Sequence, residues 1–285
     1  MSGNLPDEQP VAVIKIGGSI LTSARAYRSA AVFVRNRHHA ATEEKLVVVV
    51  SAQEGATDRF ERAARKIVRE PNARALDLMW ATGELRSVAL LALHLQALGV
   101  PAAALNIHEA GLRVSEESVG PTRGSAQVNL HAHWIRSAFA QHAVAVVPGF
   151  FATDAANAIV SLGRGGSDLT AVLLAEGLEA SRCELLKDVP GYFSSDPHRD
   201  PAARHLPRLT FDEALALADQ GCDLVQRKAI EAAARCGIPL IVRSFDESAP
   251  LSHITAARDE ALVRDPDASG SVSRRSVGEE EILTA

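Results

Sequence analysis

Residues 159–171 read IVSLGRGGSDLTA and combine a short apolar run, a glycine-rich turn and the start of a helix. The run at 159–162 is typical of a buried strand, and the glycines that follow it predict a turn. Ser167 is placed to cap a helix that continues to about Ala175. A strand that leads through a glycine turn into a helix is the repeating unit of an α/β protein.

The same order of elements recurs along the rest of the chain. Residues 11–16 form a β-branched run that ends at Gly17 and Gly18, and residues 46–50 form a second apolar run. Further strands are predicted at 102–105, 144–147 and 238–242, and another is predicted to end at 185–186. Helices are predicted at 57–98, 128–140, 211–219 and 224–235. Because buried strands alternate with helices, we expect an α/β fold with a central, mostly parallel sheet.

The composition is that of an ordinary globular protein. The chain has 285 residues, of which 47% are hydrophobic and 23% charged, so it can bury a sizeable core without a disulfide or a metal. The formal net charge of −5 comes without a dense basic stripe, which argues against a nucleic-acid partner. The histidines at 38–39 and at 131 and 133 lack ligands at metal-site spacing, so no metal site built by the protein is predicted.

The sequence also bears on the compartment. The first ten residues, MSGNLPDEQP, lack the basic and apolar regions of a secretory signal. The longest apolar runs are too short to cross a bilayer, so no membrane partner is expected. Cys183, Cys222 and Cys236 are scattered and lack CxxC spacing, which is typical of free thiols in a reducing compartment. We therefore predict a cytoplasmic protein.

The two glycine turns are candidate anion sites, because glycine lets backbone N–H groups approach an anion closely. Lys15 would end the first strand and direct its ammonium group toward Gly17 and Gly18. In the second turn, Arg164 could hold a carboxylate in a bidentate fork, and Asp168 could hold Mg²⁺ through water or orient a lysine. Taken alone, the first turn also fits a plain turn without a ligand. The second turn fits a capped helix with an acidic first turn as well as it fits a substrate site.

Six motifs, in order along the chain, resemble the amino acid kinase family and, within it, the catalytic domain of aspartokinases. The segment at 162–171 matches the family's LGRGGSDxTA almost letter for letter and is the most specific. The motifs are KIGGS at 15–19, SAQEGAT at 51–57, GELRS at 83–87, LGRGGSDLTA at 162–171, DVPGYFSSDP at 188–197 and IPLIVRS at 238–244.

The resemblance implies a three-layer αβα sandwich. It implies a catalytic domain over residues 10–257, with an amino-acid-binding lobe at about 10–165 and a nucleotide-binding lobe at about 166–257. Residues 258–285 are polar and are expected to form a tail without an ACT regulatory domain. On that basis we expect no feedback inhibition by lysine or threonine, and a homodimer is left open.

The resemblance also implies a reaction, in which ATP with Mg²⁺ phosphorylates the side-chain carboxylate of L-aspartate to 4-phospho-L-aspartate. In that reaction Lys15 would stabilise charge on the moving phosphoryl group, and Asp168 would organise the transfer centre. The implied acceptor pocket consists of Ser51, Thr57, Glu84, Arg164 and Ser167, with Glu84 on the α-ammonium group. The implied nucleotide site consists of Gly17, Gly18, Ser19, Lys187, Asp188, Phe193 and His198.

The departures from the family pattern lie on the nucleotide side. Lys187, Phe193 and His198 replace the family's threonine, tyrosine and arginine, and Asp223 stands where the family has a lysine. Lys187, Arg227 and Lys228 are near enough in sequence to restore that positive charge, and Lys187 is the candidate. The alternative for Lys187 is a solvated surface lysine. Two other functions stay open: an enzyme of the same fold that acts on another small acid or a phosphonate, and a catalytically weak sensor that binds an amino acid or a nucleotide.

Overall fold

The computed structural model describes residues 9–115, 128–163, 165–195, 197 and 200–257. Its strands are β1 (Val11–Ile16), β2 (Lys45–Val50), β3 (Ala102–Ala104), β4 (Leu112–Val114), β5 (Val128–Leu130), β6 (Val144–Pro148), β7 (Phe151–Thr153), β8 (Ile159–Ser161), β9 (Cys183–Leu186), β10 (Tyr192–Phe193), β11 (His205–Leu206), β12 (Arg208–Thr210), β13 (Leu240–Arg243) and β14 (Ser252–Thr255). Its helices are α1 (Ala24–Ala40), α2 (Ala56–Ile67), α3 (Ala73–Ala97), α4 (Ile107–Ala110), α5 (His133–Ala138), α6 (Gly166–Gly177), α7 (Phe211–Asp219) and α8 (Arg227–Cys236).

An eight-stranded sheet in the order β12-β14-β13-β9-β1-β2-β6-β3 forms the middle of the molecule. Within it, only the β13–β14 pair of the described strands is antiparallel. The predicted central, mostly parallel sheet is therefore confirmed. Strands from both sides of residue 165 share this sheet, and the boundary between the two lobes stays a prediction.

Helices cover both faces of this sheet, because alternate residues of each strand enter different apolar cores. On one face, Val13 and Val47 pack with residues of α6 and α8. On the other face, Ile14 and Val48 pack with residues of α1 and α3. Side chains in a strand alternate between the two faces, so continuous apolar strands such as KLVVVV are what a doubly covered sheet requires. This confirms the three-layer αβα sandwich.

The parallel register places several chain turns at one edge of the sheet. Lys15 in β1 lies opposite Val49 in β2 and Leu185 in β9. The three strands therefore end together, and the segments that leave them begin at Gly17, Ser51 and Lys187. The carboxyl ends of parallel strands are the usual place for a ligand site in an open α/β sheet.

Some predicted elements are wrong in their bounds. The helix predicted at 57–98 is two helices. The helical conformation is interrupted between Ile67 and Ala73, a segment that contains Pro71, and the side chain of Asn72 caps the start of α3. The helix predicted at 128–140 is strand β5 followed by the short helix α5. Strand β8, from the segment 159–162, lies in a smaller sheet of order β5-β4-β7-β8. Among the described helices, none combines the length and the hydropathy that a membrane span requires.

Candidate active site

Three charged side chains meet where β1, β9 and α6 come together. The Lys15 ammonium lies 2.7 Å from Oδ1 of Asp168, and the Lys187 ammonium donates to Oδ2 of Asp168 at 2.8 Å. The backbone N–H of Gln226, just before α8, donates to the same Oδ2 at 3.3 Å. We call Lys15, Asp168 and Lys187 the ion cluster.

The ion cluster is shielded from solvent, which strengthens its internal electrostatics. The side chains of Lys15, Asp168 and Lys187 are 8%, 5% and 11% exposed. Burial alone would raise the pKa of Asp168, but the ammonium groups of Lys15 and Lys187 hold that pKa below its ordinary value. Burial lowers the pKa of Lys187, the Asp168 carboxylate opposes that shift, and Lys15 adds to it. Asp168 is therefore an ionised anchor that holds two ammonium groups.

The glycine-rich turn at 163–166 positions Asp168 for this role. Gly165 has a φ of 75° and is the N-cap residue of α6, so the helix begins at Gly166 rather than after Ser167. The prediction that Ser167 caps the helix is therefore wrong, since Ser167 already lies in the first turn. Asp168 follows it in that turn, where a negative charge favours the helix N-terminus.

The turn after β1 makes a close backbone approach to the segment after β2. A Cβ atom added to Gly18 would lie 2.5 Å from the carbonyl oxygen of Ala52. A Cβ atom added to Gly17 would lie 3.2 Å from the Lys15 ammonium and 3.6 Å from the Leu186 carbonyl oxygen. A side chain at position 18 would thus collide with the backbone of Ala52. At position 17 the closest atom is the end of the flexible Lys15 side chain.

We expect Gly18→Ala to destabilise the fold by about 1–3 kcal/mol, because the backbone of residue 52 must shift. Gly17→Ala should cost much less, because the Lys15 side chain can bend away. Urea denaturation of the two variants beside the wild type measures the difference. Equal losses of unfolding free energy would show that the approach to Ala52 imposes no special constraint.

A cavity of about 620 Å³ opens beside the ion cluster. Its walls come from the ends of β1 and β2, the start of α2, the middle of α3 and the start of α6. The candidates that line it are Gly18, Ser19, Ser51, Thr57, Glu84 and Ser167. A larger open groove of about 1080 Å³ along α1 and residues 245–248 contains none of the described candidates.

Glu84 is the buried acidic group of this cavity. It lies in the interior of α3, and only 4% of the residue is exposed. Burial raises its pKa to about 8, although a backbone hydrogen bond from Ala52 and the charge of Lys15 oppose the shift. Its Oε2 atom is buried and has no hydrogen-bond partner among the described residues. A cationic group in the cavity could donate a hydrogen bond to this oxygen atom.

Ala52 connects the two parts of the site. Its carbonyl oxygen faces Gly18, its N–H bonds to Glu84, and its Cβ atom lies 3.0 Å from the Cβ position of Gly83. Gly83 therefore allows α3 to lie close enough for Glu84 to reach this peptide. Ala52 and Gly83, one from each of the motifs at 51–57 and 83–87, are therefore small where α3 approaches the segment after β2.

Three residues at the site were not anticipated as such. Trp80, which its apolar helical spacing marks as a core or interface anchor, lines the cavity together with Phe150. Phe150 has a φ of 73°, a value that a pattern of apolar residues does not reveal. Gln226 contacts Asp168 through its backbone N–H, so its side-chain type gave no signal.

The remaining nucleotide-side candidates are placed differently. Asp188 follows Lys187 and is exposed. Phe193 lies on β10, where its ring packs edge-on against His205 with ring centres 5.3 Å apart. Neither is among the described residues that line the cavity. Arg164 and His198 lie outside the described residues.

The sequence and the fold of this chain are similar to those of known proteins. The aspartokinase of Pseudomonas aeruginosa is 35% identical over 264 residues, which are 92% of this chain and 62% of that protein. The crystal structure of aspartate kinase from Synechocystis is 33% identical with a TM-score of 0.73, over 87% of this chain and 40% of that one. E. coli aspartokinase III in complex with aspartate and ADP shares the fold at 24% identity and a TM-score of 0.72, over 86% of this chain and 64% of that one. The chain therefore spans 62% of the first relative's length.

A family model also matches most of the chain. The model of the amino acid kinase family matches residues 10–244. That range contains β1, the glycine turns, the ion cluster and the walls of the cavity. With the central parallel sheet and the charged residues at its carboxyl edge, this match shows that the chain belongs to the amino acid kinase family.

Proposed function

We propose that the chain transfers the γ-phosphoryl group of ATP to the side-chain carboxylate of L-aspartate, as an aspartate kinase does. The observation that carries the proposal is the ion cluster, which lies beside a cavity whose wall holds the buried carboxyl group of Glu84. Relatives named aspartokinase, and the E. coli structure with aspartate and ADP, support this pair of substrates.

On the acceptor side, Glu84 would accept the α-ammonium group of aspartate through its unpartnered Oε2 atom. Ser51, Thr57 and Ser167 line the same cavity and offer hydroxyl groups to the carboxylates. Arg164 is assigned to a substrate carboxylate by the family resemblance alone. A carboxyl group that accepts from the ammonium group, beside hydroxyl groups that donate to the substrate carboxylates, is the pattern that selects an α-amino dicarboxylic acid.

On the donor side, Lys15 would stabilise charge on the transferring phosphoryl group, and Asp168 would hold Lys15 in place. The Cβ position of Gly17 lies 3.2 Å from this ammonium and 3.8 Å from the hydroxyl oxygen of Ser19. The backbone N–H groups of Gly17 and Gly18 and the hydroxyl of Ser19 would suit phosphate oxygens. The segment with Asp188, Phe193 and His198 is assigned to the rest of the nucleotide by resemblance.

Mg²⁺ would enter with ATP and neutralise part of the phosphate charge. The chemistry asks little else of the protein, since phosphoryl transfer depends mainly on positioning and charge stabilisation. The aspartate carboxylate is already ionised near neutral pH, so no general base is required.

The test is hydroxamate formation with MgATP, hydroxylamine and a series of acceptors. We expect L-aspartate to give hydroxamate and ADP in equal amounts, and glutamate, succinate and small phosphonates to give much less. Phosphorylation of another acid in preference would overturn the assignment of aspartate. Measurable aspartate binding without any hydroxamate would overturn the enzyme and favour a sensor.

Glu84 predicts a proton linkage of aspartate binding. Because burial raises its pKa to about 8, most Glu84 is neutral at pH 7 in the free protein, and binding an ammonium group releases its proton. The affinity for aspartate should therefore rise as the pH rises toward 8. Calorimetry at pH 7 in buffers of different ionisation enthalpy should show release of nearly one proton. The same enthalpy in every buffer would contradict the role of Glu84.

A further inference from the structure

The charges of the ion cluster do not balance. Lys15 and Lys187 bring two positive charges to the single carboxylate of Asp168, which leaves one positive charge in excess. All three side chains are largely buried. A buried cation beyond what its carboxylate neutralises is unfavourable unless another anion completes the site. One lysine is enough to neutralise the Asp168 carboxylate, so the charge balance of the fold does not require the second lysine.

The surroundings of Lys187 supply no further buried anion among the described residues. The groups that act on its ammonium are Asp168, Lys15 and the exposed Asp188. Glu84, which faces Lys15, is mostly neutral at neutral pH because burial raises its pKa to about 8. The excess positive charge therefore stays within the ion cluster, where the Lys15 ammonium lies 3.2 Å from the Cβ position of Gly17.

The backbone holds Lys187 at this point. Its N–H donates to the carbonyl oxygen of Arg243 at 2.8 Å, which fixes the residue at the carboxyl end of β9. The preceding carbonyl, that of Leu186, lies 3.6 Å from the Cβ position of Gly17. Lys187 therefore reaches Asp168 from β9 while Lys15 reaches it from β1. The two ammonium groups bind different oxygens of one carboxylate.

We propose that Lys187 is a second phosphate-binding lysine, which contacts the phosphate chain of the nucleotide together with Lys15. Asp168 acts as the positioning residue that spaces the two ammonium groups. Asp223, which stands where the family motif has a lysine, is exposed in the segment before α8, so β9 supplies the charge instead. The proposal rests on the proposed function, since it needs a nucleotide in this cleft.

A purely structural role is the competing explanation, in which Lys187 only neutralises Asp168. The comparison of Asp168→Asn with the double variant Asp168→Asn/Lys187→Met separates the two roles, because position 168 carries no charge in either protein. We expect the double variant to bind ADP about 10- to 100-fold more weakly, the loss typical of one charged hydrogen bond. Equal ADP affinities of these two proteins would overturn the proposal.

Calorimetric titration with ADP in EDTA keeps metal effects out of the measurement. Lys187→Met in the wild-type background should weaken ADP binding by a similar factor and leave adenosine binding unchanged. Lys66→Met, at an exposed lysine of α2, is the matched control and should change neither. An equal loss of ADP and adenosine affinity in Lys187→Met would show general damage to the cleft and would contradict the proposal.

The outcome can be separated from that of the proposed function. ADP binding does not depend on the acceptor, so a wild type that forms no hydroxamate with aspartate leaves the ADP comparison decisive. A wild type that forms hydroxamate while the two Asp168→Asn proteins bind ADP equally would refute the role of Lys187 alone.

Discussion

Lys15→Met is expected to lower kcat for aspartate phosphorylation by about 10²- to 10³-fold, the usual loss when one preorganised charge donor is removed. The KM for aspartate should change little, because the Lys15 ammonium acts on the phosphoryl group during transfer. The fold should persist, since Asp168 keeps its hydrogen bonds from Lys187 and from the N–H of Gln226.

The measurement is the full dependence of ADP release on aspartate concentration, with thermal unfolding of each protein alongside. Lys66→Met serves as the control, because it removes an exposed lysine on α2. A kcat close to that of the wild type would remove Lys15 from the transfer step. A large rise in KM for aspartate with an unchanged kcat would move Lys15 from the phosphoryl group to the acceptor pocket.

Glu84→Gln is expected to raise the KM for aspartate by about 100-fold, which corresponds to about 3 kcal/mol for a buried charge that loses its partner. The amide keeps the shape of the side chain and can still accept from the N–H of Ala52, but it offers the ammonium group no negative charge. The kcat at saturating aspartate should fall much less, since Glu84 is assigned to the α-ammonium group and not to the transferring phosphoryl group.

The same variant should be at least as stable as the wild type. Burial raises the pKa of Glu84 from 4.5 to about 8, so the folded wild type binds a proton that the unfolded chain has released. The free energy of unfolding of the wild type therefore falls as the pH rises from 4.5 through 8, and the Glu84→Gln protein lacks this contribution. Denaturation at several pH values measures the divergence, with Glu70→Gln at an exposed site as the control. A Glu84→Gln protein that loses stability at high pH, or keeps its KM, would contradict this account.

The central strands were predictable because their continuous apolar pattern has one main physical cause, burial on both faces of the sheet. Residues 11–16 and 46–50 are continuous apolar runs, and only a sheet covered on both faces buries every side chain of such a run. The helix boundaries were less predictable, since Pro71 and Asn72 divide an otherwise continuous helical pattern. The segment 128–140 was misread because β5 and α5 are both too short to show a period.

The candidate site followed from the motifs more than from the pattern of elements. Lys15 and Asp168 stand next to glycine turns, and the structure brings them into contact. For Lys187 the sequence left two options, and the structure places it on Asp168 rather than in solvent. Contacts made by backbone groups, such as those of Gln226 and Ala52, could not be predicted because they depend on how distant segments approach.

The peptide at Ala52 touches Gly18 on one side and Glu84 on the other, so the groups proposed for the phosphates and for the ammonium share one support. A displacement of this single unit would alter the distance between donor and acceptor directly. Ala52, which also lines the cavity, would thus set the spacing of the two proposed groups, and natural or designed changes at position 52 would act on both at once.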